Sequence, residues 1–260
     1  MCGIVCALSD QPVLPLLIEG LKRLEYRGYD SAGVALLGEQ GFQRTRSVGR
    51  IADLEAALGA DTNSSSSVGI AHTRWATHGA PTRNNAHPHL TSGKLAIVHN
   101  GIIENHQELR EELIEAGYTF ESETDTEVIL HEVDRFYRQS ADLYQAVRAT
   151  VKRLKGAYAI GLISSDEPRR IVGARSGSPM VVGLGEDGNY IASDMMALLS
   201  VTRNFYIIDD DELVDISDTG VRITDLEGTT LKREVFTSDQ HAGASDLGEY
   251  RHYMLKEIHE

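Results

Sequence analysis

The residue best placed to do chemistry is Cys2, directly behind Met1 and ahead of the apolar run Gly3-Ile4-Val5. Removal of Met1 would leave a thiol and a free α-amine on one residue. A thiolate is the strongest side-chain nucleophile near neutral pH, and an α-amine with a pKa of about 8 can take a proton from a thiol with a pKa of about 8.5. Nucleophile and base then need no second residue. Taken alone, a cysteine so near the start also fits a buried small hydrophobe, so its role depends on what the rest of the chain brings near it.

Three further segments are polar where a mere core would be apolar: Tyr26-Arg27-Gly28-Tyr29-Asp30-Ser31-Ala32-Gly33, His72-Thr73-Arg74-Trp75-Ala76-Thr77-His78-Gly79, and His99-Asn100-Gly101-Ile102-Ile103-Glu104-Asn105. Each begins or ends a predicted strand. Read one residue at a time they are unremarked. A loop arginine such as Arg74 is usually solvated, Asn100-Gly101 is a strong hairpin-turn signal, and the single tryptophan, Trp75, suits a core anchor. Asp125 falls in the first turn of a predicted helix, where a carboxylate is stabilised by the macrodipole.

The elements that must position these residues follow from periodicity. Cys2 to Leu8 reads as a buried first strand, and Pro12 to Leu24 carries Leu14, Leu17, Ile18, Leu21 and Leu24 at helical spacing. Val34 to Leu37 and Phe42 to Ser47 flank Gly38 and Gly41 as a hairpin, Ile51 to Leu58 is a short amphipathic helix, and Asp61 to Ser67 is a surface loop. Val68 to Ala71 and Leu95 to Val98 read as strands joined by a long polar loop, of a length that compact domains usually keep for function. Helices are predicted over Asn105 to Ala116, after a Thr124/Glu127 capping box, and over Leu143 to Leu154. Short β-rich runs follow at Ala157 to Ser164, Ile171 to Ala174, Met180 to Leu184, Tyr190 to Ala192, Phe205 to Ile208, Leu213 to Ile216, Val221 to Thr224 and Thr230 to Glu234. Helices grouped mid-chain with strands at both ends imply a layered α+β domain with antiparallel sheets. Tyr253, Met254 and Ile258 begin a helix that stops without a cap, so the natural protein is expected to continue past Glu260.

Composition narrows the function. A net charge of −14 argues against binding a phosphate backbone, and nucleic acid is not an expected partner. There is no apolar run long enough to span a membrane and no basic, apolar leader, so a cytoplasmic protein without membrane contact is expected. The two cysteines, Cys2 and Cys6, share one strand face, where a disulfide would be strained. Both are read as reduced, with Cys6 structural. His72, His78, His87, His89, His99 and His106 crowd one stretch, yet no recognised ligand spacing accompanies them, and neither a metal nor another cofactor is expected.

Cys2-Gly3-Ile4-Val5 together with the three polar segments closely resembles the class II glutamine amidotransferases, and within them the aminosugar branch that makes glucosamine 6-phosphate from fructose 6-phosphate and glutamine. Arg27-Gly28-Tyr29-Asp30-Ser31 is the aminosugar form of a motif that the purine branch writes with Gln in place of Tyr29. The resemblance runs along essentially the whole chain, ending in Tyr250-Arg251-His252-Tyr253-Met254-Leu255-Lys256-Glu257-Ile258. It implies an N-terminal nucleophile hydrolase fold, a four-layer αββα sandwich of two antiparallel sheets between helices. It divides the chain into a glutaminase domain over residues 2–240 and, over residues 241–260, the start of a linker toward a missing sugar-isomerase half.

The resemblance also assigns roles. Cys2 is the nucleophile that hydrolyses L-glutamine to glutamate and ammonia through a thioester, and Asn100 with Gly101 forms the oxyanion hole. Arg74 holds the substrate α-carboxylate, as a planar guanidinium can through two charged hydrogen bonds, and Asp125 pairs with the α-ammonium. Trp75, Thr77, His78 and Gly79 belong to a loop that closes over glutamine, with Trp75 also a gate on the route of ammonia to fructose 6-phosphate. Arg27 and Asp30 order the amino-terminal strand. The full-length family enzyme is expected to be a homo-oligomer. Another class II amidotransferase, or another N-terminal-cysteine amide hydrolase, is the alternative.

Overall fold

A computed structural model describes residues 2–59, 65–91 and 93–240. In chain order the elements are β1 (Gly3–Ser9), α1 (Leu14–Arg23), β2 (Ser31–Gly38), β3 (Gly41–Val48), α2 (Ile51–Leu58), β4 (Val68–Arg74), β5 (His89–Thr91) and β6 (Leu95–Ile103). Then come α3 (His106–Glu115), α4 (Asp125–Ser140), α5 (Leu143–Val151), β7 (Gly156–Ser164), β8 (Arg170–Ser176), β9 (Val181–Leu184), β10 (Gly188–Ala192), β11 (Asn204–Ile207), β12 (Glu212–Ser217), β13 (Gly220–Asp225) and β14 (Phe236–Thr237). One eight-stranded sheet has the order β14-β11-β9-β10-β1-β4-β2-β3, and a six-stranded sheet has the order β13-β12-β8-β7-β6-β5. All pairings between these strands are antiparallel.

The period of two along each central strand builds the layers. On β1, Val5 and Ala7 pack with Leu14, Leu17 and Leu21 of α1 and with Ile51 and Leu54 of α2, while Ile4, Cys6 and Leu8 face the second sheet. On β6, Ala96 and Val98 meet that same inter-sheet layer, and Leu95, Ile97 and Ile103 face Ile129, Val133 and Val147 of α4 and α5. Burying side chains on both faces of both sheets, at about 1.5–3 kcal/mol for each large apolar residue, produces the order helix, sheet, sheet, helix. Cys6 is fully buried between the sheets, and Gly161 on β7 leaves the room for it: a Cβ there would lie 2.5 Å from Cys6 Sγ. Both cysteines are free thiols.

Several elements differ from expectation. Strand β4 runs three residues past Ala71 through His72-Thr73-Arg74, and β6 runs on from Val98 to Ile103, so Asn100-Gly101 is a mid-strand pair opposite Ala159 and Tyr158 rather than a hairpin turn. Short β5 arises inside the long polar loop, and Thr230 to Glu234 makes only a single bridge from Thr230 to Thr224. Thr124 caps α4 by accepting from the Glu127 backbone N–H at 3.3 Å, but the Glu127 carboxylate turns instead to the backbone N–H groups of Glu121 and Ser122. The predicted helix near Tyr253 and most of the serine-rich loop lie outside the described residues. Among the described residues no helix is long and apolar enough to cross a membrane.

Candidate active site

The beginning of β1 is held by three neighbours. Gly3 pairs with Thr73 of β4, and a Cβ on Gly3 would sit 2.7 Å from Thr73 Oγ1 and 2.8 Å from Leu24 Cδ1, so only glycine lets the strand start lie this close. The Ile4 N–H donates to Ser193 Oγ at 3.1 Å, and Ser193 Oγ also accepts from Arg27 Nη1 at 3.3 Å. Arg27 is fixed in turn by an ion pair with Asp194 at 2.5 Å. Asp30 acts on the other side: its Oδ2 accepts from the Ala76 N–H at 2.5 Å, which places the preceding residue so that the Trp75 N–H points at Cys2 Sγ, 3.2 Å away.

Cys2 is half-buried, and burial pushes its thiol up, an effect that the hydrogen bond from the Trp75 N–H and the nearby charge of Arg74 offset only in part. Such a thiol needs a base beside it to react near neutral pH. Cys6 is pushed up much further by burial alone. Cys2 adjoins a cavity of about 350 Å³, whose wall is shared by Arg27, Trp75, Thr77, Asn100, Gly101, Ile102, Ser178 and Pro179. A larger cleft between Pro168 and Arg222 is lined by no cysteine.

Asn100 reaches this cavity from the other sheet. Its Nδ2 donates to the Cys2 carbonyl oxygen at 3.2 Å, and its Oδ1 lies 3.0 Å from His72 Nε2. Gly101 follows at φ +126°, where a Cβ would overlap the carbonyl oxygen of Ala157. That backbone twist in mid-strand is available to glycine and strained for every other residue.

Arg74 is buried at the end of β4, and its guanidinium donates to the carbonyl oxygens of His78 at 2.5 Å, Gly79 at 3.2 Å and Ala80 at 3.3 Å. The arginine therefore shapes the loop that the sequence placed over the site. Burial lowers its pKa, against the charges of Asp30, Cys2, Asp125 and Glu123, which favour the cation. Asp125 opens α4 and accepts from the Ile103 N–H through Oδ2 at 2.9 Å, tying the helix to the end of β6. Gly79, at φ +76°, is lodged against Asn85 and Glu123, and the His78 ring meets the His106 ring edge-on at 4.8 Å. Cys2, Asn100, Gly101, Trp75, Thr77 and Arg27 thus share one cavity wall, whereas Arg74, Asp125, His78 and Gly79 do not line it.

Trp75 is 54% exposed, so it is no core anchor. Its indole lies over Gly28, where φ is +73° and a Cβ would come within 2.9 Å of the ring. Ser193, Asp194, Ser178 and Pro179 carried no sequence signal, because only the distant pairing of β1 with β10 and the turn after β8 bring them here. Among the described residues no group of three or more His, Cys, Asp or Glu side chains is arranged to hold a metal ion. The rings of the crowded histidines pack together, His72 tilted by 33° against His87 at 4.1 Å and His87 edge-on to His89 at 4.9 Å, and burial lowers the pKa of His72 to about 3 and puts that of His87 well below its ordinary value.

Two solved structures share the fold. Glutamine phosphoribosylpyrophosphate amidotransferase from B. subtilis superposes with a TM-score of 0.75 at 23% identity over 88% of this chain and 50% of that one. A structure described as the allosteric regulatory enzyme of purine biosynthesis gives 0.75 at 24% identity, over 86% of this chain and 49% of the other. The fold is that of the N-terminal nucleophile amidotransferases.

At the sequence level, the profile of the glutamine amidotransferase domain matches residues 72–200. The glutamine–fructose-6-phosphate aminotransferase (isomerizing) of Pseudomonas putida is 53% identical over 261 residues, covering all of this chain and 43% of the relative. Those of Bordetella pertussis and Shewanella oneidensis are each 52% identical, again over the whole chain and 43% and 42% of the relative. The chain belongs to the glutamine amidotransferase domains, of the kind found in these aminotransferases, and spans less than half the length of the relatives it matches.

Proposed function

We propose that residues 2–240 form a glutaminase unit in which Cys2 attacks the side-chain amide of L-glutamine, and that in the longer protein the ammonia released is passed to fructose 6-phosphate to make glucosamine 6-phosphate. The observation that carries this reading is the meeting of Cys2 and the Asn100-Gly101 pair across the two sheets, at one cavity.

With Met1 removed, the Cys2 α-amine takes the thiol proton and the thiolate adds to the amide carbon. The developing oxyanion is stabilised by the Asn100 side chain and the Gly101 N–H. The Asn100 amide has two N–H bonds; donating one to the Cys2 carbonyl leaves the other for the substrate. The α-ammonium returns its proton to the nitrogen as the C–N bond breaks, ammonia leaves, and water hydrolyses the γ-glutamyl thioester to glutamate and the free thiol. Arg74 supplies positive charge for the α-carboxylate and holds the His78 to Ala80 loop, and Asp125 offers a carboxylate to the α-ammonium. Trp75, Thr77, His78 and Gly79 cover the bound amino acid. The exposed indole of Trp75 and Ile102, at 54% and 42%, present an apolar rim to the half that receives ammonia. A cytoplasmic, homo-oligomeric enzyme without a cofactor completes the reading.

The test is glutamate release by purified protein. Cys2→Ala is expected to abolish it while Cys6→Ala keeps turnover; glutamate release by Cys2→Ala would remove the nucleophile assignment.

A further inference from the structure

An asparagine can serve an oxyanion only when Nδ2, not Oδ1, faces the reacting carbonyl, and the two ends of its amide are nearly the same size. Packing alone therefore does not choose the orientation. Two contacts make the choice: the Cys2 carbonyl, which can only accept, faces Nδ2, and His72 on β4 faces Oδ1 from the buried side. His72 is fully buried, and its Nε2 lies 2.9 Å from the His99 carbonyl oxygen and 3.0 Å from Asn100 Oδ1. A backbone carbonyl can only accept, so Nε2 must carry the hydrogen. The end of Asn100 that faces this N–H must then also accept, which turns Oδ1 toward His72 and sends the NH₂ group to Cys2.

We propose that His72 is a positioning residue for glutamine hydrolysis: its Nε2–H, committed by the His99 carbonyl, fixes the orientation of the Asn100 amide. Two features keep the imidazole in that form. Nδ1 is buried with no hydrogen-bond partner among the described residues, so a second proton there would be unsatisfied. The ring is also packed at a 33° tilt against His87, centroids 4.1 Å apart, which restricts its movement away from the His99 carbonyl. Burial disfavours the cation in the same sense. The hydrogen bond to Asn100 runs from β4 of one sheet to β6 of the other, so His72 couples the strand beside Cys2 to the strand that supplies the oxyanion donor.

This inference rests on the reading of Asn100 as an oxyanion donor, and a double-mutant cycle separates the two. Steady-state glutaminase kinetics would be measured for His72→Ala, Asn100→Ala, the double variant and His72→Gln. Asn100→Ala is expected to lose about a hundredfold in kcat. His72→Ala should lose about tenfold in kcat with KM little changed, and adding it to Asn100→Ala should cost no more than about twofold further, because a residue that acts through Asn100 has nothing left to act on. His72→Gln, which keeps an N–H donor, should recover part of the loss. Multiplicative losses, or an unaltered kcat in His72→Ala, would overturn the positioning role while leaving the oxyanion assignment standing. An unaltered kcat in Asn100→Ala would overturn both. Should His72→Ala fail to fold, ¹⁵N shifts of the ring in the intact protein decide: a hydrogen on Nε2 is required, and one on Nδ1 contradicts the proposal.

Discussion

Asn100 Nδ2 donates to the carbonyl oxygen of Cys2 across 3.2 Å, joining the residue that leads into β1 of the eight-stranded sheet to the middle of β6 in the six-stranded one. Ninety-eight residues of sequence separate the two, yet the meeting of the sheets leaves them on one cavity wall. The isosteric change Asn100→Asp keeps the shape and removes the donor. It is expected to lower kcat about a hundredfold or more with KM changed by less than about threefold, measured by glutamate release. A rise in KM with kcat intact would assign Asn100 to binding instead.

Gly101 is held at φ +126° against the Ala157 carbonyl. Gly101→Ala should cost about 3 kcal/mol or more in urea denaturation, combining backbone strain with an overlap that only a strand shift can relieve. Gly41→Ala is the control: φ is +97° there, but a Cβ meets nothing within 4 Å, so about 1–2 kcal/mol is expected. Equal costs at the two positions would mean that β6 and β7 are less closely apposed than described.

Arg74→Lys retains the charge and loses the fork that holds three loop carbonyls. We expect KM for glutamine to rise about tenfold or more with a smaller effect on kcat, read from initial rates. Unchanged KM would argue against a carboxylate clamp at this position.

Histidines buried in the neutral form make stability depend on pH. Burial holds the folded-state pKa of His72 at about 3, puts that of His87 well below its ordinary value, and depresses that of His99, whereas an unfolded histidine takes up a proton near about 6.5. Below that pH the unfolded chain binds more protons, so the contribution of these rings is complete above about 6.5 and is lost as pH falls toward the folded values. The urea midpoint should therefore drop steadily from pH 7 to pH 5. A flat midpoint over that interval would show that the rings are accessible to protons in the folded state.

Much of this arrangement was legible in the sequence because it is local. The unbroken apolar run along Ile4 to Leu8 marks a strand buried on both faces, helical spacing from Leu14 to Leu24 follows from the one face that is buried, and α2 falls where its periodicity put it. The Asn100-Gly101 pair misled on local grounds, since turn propensity is overridden once β7 pairs along its whole length and Gly101 supplies a mid-strand twist. Only the resemblance to known amidotransferases distinguished Asn100 and Arg74 from an ordinary turn and an ordinary surface arginine. What no local pattern contains is the long-range partnering. Ser193 beneath Ile4, His72 behind Asn100 and the carbonyls around Arg74 are set by the assembly of two sheets, and each is identified by a hydrogen bond between residues distant in sequence or by a loop folded back on its strand.

The central claim is that one sulfur, on the residue that becomes the chain start, is the group that attacks glutamine. Intact and peptide mass spectrometry of active protein, before and after treatment with an electrophilic ketone analogue of glutamine, tests it most directly. The account predicts a chain beginning at Cys2, one adduct per chain on that residue with activity lost in proportion, and Cys6 unmodified. Full activity in material that retains Met1, or an inactivating adduct on any other residue, would contradict it.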